Sequence, residues 1–175
     1  MKRFILTGTP GSGKTAILRQ LEVDGFGVVE EAATDVIALH QAKGFAEPWR
    51  RPAFIEEVLA LQTQRRTRLS DPIQFHDRSP FCTAALAEFL GYPLSEGLIG
   101  EMDLLKREAF YEKRVLFVQS LGFVTPSAAR RISLEDARRF EAVHESTYRL
   151  HGFEPIPISS GSVLDRVAAI QGVCR

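Results

Sequence analysis

Cysteine is nearly absent. Cys82 and Cys174 are the two in 175 residues, far apart and in no C-x-x-C pair, which argues against a disulfide framework or a cysteine-built zinc site and fits a reducing cytosol. Net charge is missing as well. Twenty-two lysines and arginines face twenty-two acids, so no chain-wide field draws in nucleic acid or an anionic membrane, and the expected partner is a small molecule. Long apolar runs are lacking: Met1-Lys2-Arg3 precedes only three large apolar residues before Thr7, so neither a signal peptide nor a membrane span can be placed. The expectation is a soluble, cytoplasmic protein with no nucleic-acid or membrane partner. Internal repeats and low-complexity tracts are absent too. A 45% hydrophobic content over this length is enough for one core of ordinary size, and residues 1–175 read as a single domain.

What is present is alternation. Short apolar runs at Phe4 to Leu6, Gly27 to Val29, Ile73 to Phe75, Val115 to Val118 and Ile156 to Ile158 are separated by helical patterns. Strands alternating with helices predict a parallel sheet covered on both faces. Helices are expected from just after Glu30 to about His40, from Ala53 to Leu69, from Pro80 to Leu90, from Ser95 to Tyr111 and from Ser133 to His151. Ser133 with an acid three residues on has capping-box spacing. The stretch 44–52 carries Pro48 and Pro52 and reads as a loop.

Directly after the first strand, Gly8-Thr9-Pro10-Gly11-Ser12-Gly13-Lys14-Thr15 spells G-x-x-x-x-G-K-T, the phosphate-binding loop between a strand and a helix. Its glycines let backbone N–H groups wrap a β-phosphate while the helix start turns its positive end to the same anion. Lys14 reaches the β- and γ-oxygens, and the Thr15 hydroxyl is placed to ligate Mg²⁺ bridging them. The chain is therefore expected to bind a nucleoside triphosphate with Mg²⁺. No N-K-x-D guanine motif is present, and no decisive adenine contact either, so these residues leave ATP and GTP both open.

The strand ending in Phe75-His76-Asp77-Arg78-Ser79 delivers Asp77 to a carboxyl end, where ligands bind in open α/β sheets. Asp77 is the second expected Mg²⁺ ligand, opposite Thr15. Arg78 follows it, and arginine binds and neutralises phosphate but cannot act as a base. The second strand ends in Glu30-Glu31, one of which can face the γ-phosphate and accept a proton from an attacking hydroxyl. Adjacent residues point to opposite faces, so at most one of the pair enters the site and the other is a helix-dipole acid in the first turn. Phe54, Val58, Leu61, Arg65 and Leu69 form one helical stripe, which turns Arg65 inward towards a substrate phosphate or a carboxylate such as Glu31, unless it snorkels past the core edge. Phe45, Trp49 and Phe54 either stack on a planar acceptor or pack the core. Residues 119–132 carry Arg130 and Arg131 where a phosphotransferase lid would sit.

Taken together, the P-loop, V-V-E-E-A-A, F-H-D-R-S, the arginine segment and the tail Ser159 to Val167 make the chain resemble bacterial AAA-type ATPase/kinase proteins of the P-loop kinase superfamily. It is similar to the nicotinamide riboside kinase domain and, more distantly, to deoxynucleoside and thymidylate kinases. The resemblance implies a three-layer P-loop fold with a five-stranded parallel sheet in the order 2-3-1-4-5. It implies an acceptor-side helical region at about 31–70 and a lid at about 119–132. By the same resemblance Glu31 looks like the acid of an E-x-A-R motif, Asp77-Arg78 like the D-R pair, and Arg130 or Arg131 like the lid arginine. Ser160, Gly161, Ser162 and Val163 look like the adenine-side loop. Thr34 stands where such relatives often carry arginine. The implied activity is transfer of the γ-phosphoryl of ATP to a nucleoside- or nucleotide-like acceptor. A nucleotide-dependent ATPase or switch acting on a protein partner, or a phosphotransferase acting on an antibiotic or other xenobiotic, are the alternatives.

Overall fold

A computed structural model describes residues 1–8, 11–67, 70–120 and 133–174. Five parallel strands form one sheet in the order β2-β3-β1-β4-β5, as expected. They are β1 (Lys2–Thr7), β2 (Gly27–Val29), β3 (Ile73–Asp77), β4 (Arg114–Val118) and β5 (Glu154–Ile158). The helices between and after them are α1 (Lys14–Val23), α2 (Ala32–Ala42), α3 (Ala53–Arg66), α4 (Pro80–Leu90), α5 (Glu96–Arg107), α6 (Leu134–Leu150) and α7 (Val163–Cys174), with a 3-10 turn at Pro48–Arg50.

The period-2 alternation of β1 divides the core. Phe4 and Leu6 point to one face, where Ile17, Leu18 and Leu21 of α1 meet Val167 and Ile170 of α7. Ile5 points to the other, where Phe54 and Val58 of α3, Phe81 of α4, Leu98 of α5 and Tyr148 of α6 pack. Among the described residues, one face thus carries two helices and the other the remaining five. In register, Leu6 lies opposite Asp77 of β3 and Leu116 of β4. The P-loop and Asp77 therefore leave adjacent strands at the same sheet edge.

Three expectations are corrected. The helix expected to reach Tyr111 stops at Arg107, because Ala109 takes a left-handed conformation at φ 45° and turns the chain; Tyr111 then packs into the core. The helix expected to reach Leu69 ends at Arg66 with Thr67 as its cap; Leu69 lies outside the described residues. The tail expected as a loop through Val163 becomes helix α7 from Val163 onward. Ser162 starts it, its hydroxyl accepting from Asp165 N–H at 3.1 Å. The capping box at α6 is as expected, with Ser133 Oγ accepting from Asp136 N–H at 3.0 Å. Among the described residues no helix is long and apolar enough to cross a membrane.

Candidate active site

The P-loop closes against β4. Gly8 sits at φ 144°, and a Cβ there would collide with the Val118 carbonyl, so only glycine passes. Gly13 caps α1 in the left-handed region at φ 80° and brings no capping side chain, leaving the first-turn N–H groups for an anion. Ser12 Oγ is buried with no hydrogen-bond partner among the described residues, which fits a cradle awaiting a phosphate oxygen. The Lys14 ammonium, buried at the helix start, donates to the Gly8 carbonyl at 3.2 Å. Thr15 lies exposed beside it. Thr9 and Pro10 lie outside the described residues.

Asp77 ends β3 buried, with Oδ1 lacking a partner among the described residues. Burial, reinforced by the Glu31 charge and opposed by Lys14 and Arg78, pushes its carboxyl up to about 6. Such a group calls for a cation. Asp77 and Thr15 line one small cavity of about 220 Å³, and their hard oxygens would suit a cation such as Mg²⁺. Among the described residues no cluster of three or more His, Cys, Asp or Glu forms a separate metal site.

Glu31 and Glu30 part company. Glu30 turns out to Arg19 at 2.6 Å on the surface. Glu31, at the N-cap position of α2, turns in. Its Oε1 accepts from Arg78 Nε at 2.5 Å and its Oε2 from the Thr34 hydroxyl at 2.7 Å. Burial alone would raise its pKa, but the Arg78 and Lys14 charges and these hydrogen bonds outweigh it and hold the carboxyl down at about 2. Arg65 meets neither a phosphate position nor the Glu31 carboxylate. It donates to the Glu31 main-chain carbonyl at 2.5 Å and the Glu30 carbonyl at 3.2 Å, and pairs with Asp35 at 2.5 Å. The guanidinium serves as a brace for the β2-α2 turn, a role open to it because the last-turn position of α3 faces those carbonyls.

Arg78 sits in the left-handed region at φ 72°, an uncommon and costly state for a non-glycine residue. Two neighbours account for it. Its N–H still pairs with the Leu6 carbonyl at 3.0 Å, and Ser79 is held extended before Pro80, the first residue of α4. The reversal falls on Arg78 alone. Its guanidinium is held three ways: Nε to Glu31, Nη2 to the Gly8 carbonyl at 3.2 Å, and Nη1 to His144 Nε2 at 3.0 Å. One carbonyl, Gly8, thus accepts from both Lys14 and Arg78.

Lys14, Glu31 and Arg78 converge at the polar end of a cavity of about 460 Å³. Its apolar walls include Ile37, Trp49, Phe54, Val58, Phe89 and Phe140. Of the aromatics singled out in sequence, Trp49 and Phe54 line it. Phe45 instead lies on the surface, 50% exposed, under the Arg51 guanidinium. Gln62 and Thr83 face the same space, the Thr83 hydroxyl donating to Gln62 Oε1 at 2.8 Å. Ser160, Gly161 and Ser162 are exposed at the carboxyl end of β5, separated from β1 by β4, and with Val163 they line neither cavity. Arg130 and Arg131 lie outside the described residues, as does the rest of 121–132.

Sequence reasoning missed the contribution of α6. Phe140, His144 and Tyr148, four residues apart, form its inward stripe. The Tyr148 hydroxyl meets Ser79 Oγ at 2.9 Å and Cys82 Sγ at 2.8 Å, and Cys82 Sγ meets Thr7 Oγ1 at 3.3 Å. The aromatic i, i+4, i+8 spacing was a usable signal for that face.

Among solved structures, deoxyadenosine kinase from M. mycoides with dCMP and dCDP bound is 13% identical at a TM-score of 0.60, covering 98% of this chain and 97% of that one. The same enzyme with dATP gives 13% and 0.60, covering 98% of both. NadR protein in complex with NAD and AMP-PNP is 16% identical at a TM-score of 0.67, covering 98% of this chain, which spans 48% of that one. These likenesses establish the P-loop kinase fold. No curated protein sequence matches the chain. A family described as AAA domain matches residues 3–166, nearly the whole length, and with its glycine loop and Asp77 side by side on the sheet edge the chain belongs to that family.

Proposed function

We propose that the chain is an ATP-dependent phosphotransferase that moves the γ-phosphoryl group to a hydroxyl or phosphate of a nucleoside- or nucleotide-like acceptor seated in the larger cavity. The observation that carries this is the convergence of Lys14, Glu31 and Arg78 at the polar end of an aromatic-walled space. A plain ATPase has little need of such a space. Nucleotides bound to the structural relatives support the same reading.

Lys14 and the loop N–H groups would hold the β- and γ-oxygens. Thr15 and Asp77 would hold Mg²⁺, which supplies charge neutralisation at the β- and γ-phosphates when bound. Arg78 would act as a phosphate clamp: its guanidinium is pinned at Nε, Nη1 and Nη2, two of its five N–H groups are left over, and the residue lines the cavity. Glu31, held charged by its partners, accepts a hydrogen bond from the acceptor hydroxyl and orients it. A carboxylate this acidic is a weak base, which suits a loose transition state where proton removal lags phosphoryl transfer. Arg130 or Arg131 would cover the transferring group from the lid, and Ser160 to Val163 would lie on the adenine side.

A screen of nucleosides, nucleotides and vitamin-like alcohols tests this, by thermal shift with Mg²⁺ and AMP-PNP and by ADP release from ATP. At least one planar acceptor should raise both. If no acceptor lifts turnover above basal hydrolysis while a protein partner does, the chain is a nucleotide-dependent switch.

A further inference from the structure

We infer that His144 is a positioning residue for Arg78, holding its guanidinium through a lone pair on Nε2. The inference rests on the phosphotransferase reading only in taking Arg78 as a phosphate clamp.

The geometry dictates the tautomer. His144 Nδ1 lies 2.9 Å from the Phe140 carbonyl, which can only accept, so Nδ1 must carry the proton. Nε2 lies 3.0 Å from Arg78 Nη1, which can only donate, so Nε2 must present its lone pair. An imidazolium, or the opposite tautomer, would set N–H against N–H in a site where the ring is 1% exposed. The groups facing the ring agree. Burial comes first, then the Arg78 charge, with Lys14 of α1 adding to it, and these outweigh the Phe140 carbonyl and the Glu31 carboxylate of α2 to bring its pKa down to about 3.

The arrangement does work that no other contact of Arg78 does. Glu31 and the Gly8 carbonyl fix Nε and Nη2 from the α2 and P-loop sides; among the described residues only His144 fixes Nη1, from α6. With both ends of the fork and its stem held, the plane of the guanidinium is set before any phosphate arrives, and the ordering entropy is not charged to the reaction. The neighbouring residue is gripped by the same helix, since Tyr148 holds Ser79 four residues further along. The α6 stripe thus clamps the strained turn at Arg78-Ser79. His144 lines neither cavity and acts through Arg78.

Two measurements decide the matter. In long-range ¹H–¹⁵N spectra of histidine-labelled protein, His144 should show a protonated Nδ1 and a bare Nε2 from pH 6 to 8; an imidazolium or the Nε2–H tautomer would overturn the inference. In phosphate release from Mg-ATP with water as acceptor, His144→Phe keeps the ring but loses the lone pair. It should lower kcat by about tenfold with the KM for ATP changed less than threefold. His144→Gln, whose amide oxygen can reach Arg78, should recover at least half. Wild-type kcat in His144→Phe, or no recovery in a folded His144→Gln, would also overturn it. If His144→Phe does not fold, the wild-type spectra and the Gln variant still decide. The water reaction needs no acceptor, so a failed acceptor search sinks the kinase reading and leaves this test standing.

Discussion

Under the proposed function, Lys14 would serve the site with little part in the fold, whereas Glu31 would serve both. Lys14 opens α1 at the end of the glycine loop and donates to the Gly8 carbonyl. Lys14→Ala should therefore leave the fold intact and reduce Mg-ATP affinity by more than tenfold in calorimetry, because the β- and γ-oxygens lose their one ammonium donor. Glu31 is different, since Arg78 and Thr34 both depend on it. Glu31→Gln preserves size and one accepting oxygen but removes the charge, so kcat with a found acceptor should fall roughly 10² to 10⁴-fold while ATP affinity changes little. Glu30→Gln, on the surface with Arg19, should leave kcat alone; the reverse pattern would mean that the site uses Glu30.

At the scale of elements, the brace from α3 to the β2-α2 turn is the contact most open to test. Arg65→Met keeps the apolar stem and removes the donors to the Glu30 and Glu31 carbonyls and to Asp35. Urea unfolding should show a loss of about 1–3 kcal/mol, the usual cost of leaving such carbonyls unpaired. An unchanged midpoint would mean that the turn holds itself. This brace also marks where sequence reading stops. The P-loop, the strands and the place of Asp77 at a strand end were legible because each is encoded within a few residues: a glycine loop of fixed spacing, an apolar run of the right length, an acid where it stops; the strand order came only with the family resemblance. Arg65 was legible as inward-facing, but its partners were not, since they sit some thirty residues away on another element. His144, Tyr148 and Cys82 escaped for the same reason. Tertiary packing alone brings α6 to the Arg78 turn. The end of α5 escaped through backbone geometry, because nothing in Glu108-Ala109-Phe110 announces that an alanine will take a positive φ.

For the molecule as a whole, two buried histidines tie stability to pH. His76 on β3 is pushed down to about 3, first by burial and then by Arg3 and Arg66, and His144 likewise sits at about 3. Both stay neutral in the folded state and charge freely when unfolded, so the unfolded chain binds more protons. Stability is full above pH 6.5 and falls as pH drops from there towards 3, by up to about 1.4 kcal/mol per pH unit for each histidine. Between pH 7.5 and 5.5 the pair should cost about 2–3 kcal/mol in urea unfolding, and His76→Gln should flatten about half of that slope. Asp77, raised to about 6, works in the opposite direction over this range, so the deciding comparison is between variants: a His76→Gln slope equal to that of the wild type would contradict the burial of that ring. The sheet itself has a further consequence. Ile170 of α7 and Ile55 of α3 belong to separate core clusters on opposite faces of the sheet. Ile170→Val and Ile55→Val should each cost about 0.5–1.5 kcal/mol, and the double variant should give their sum to within about 0.5 kcal/mol. If that additivity holds, the molecule has two compartments that can drift separately. Under the proposed function, the wall of the larger cavity could then be rewritten for another acceptor without retuning the packing beneath the glycine loop.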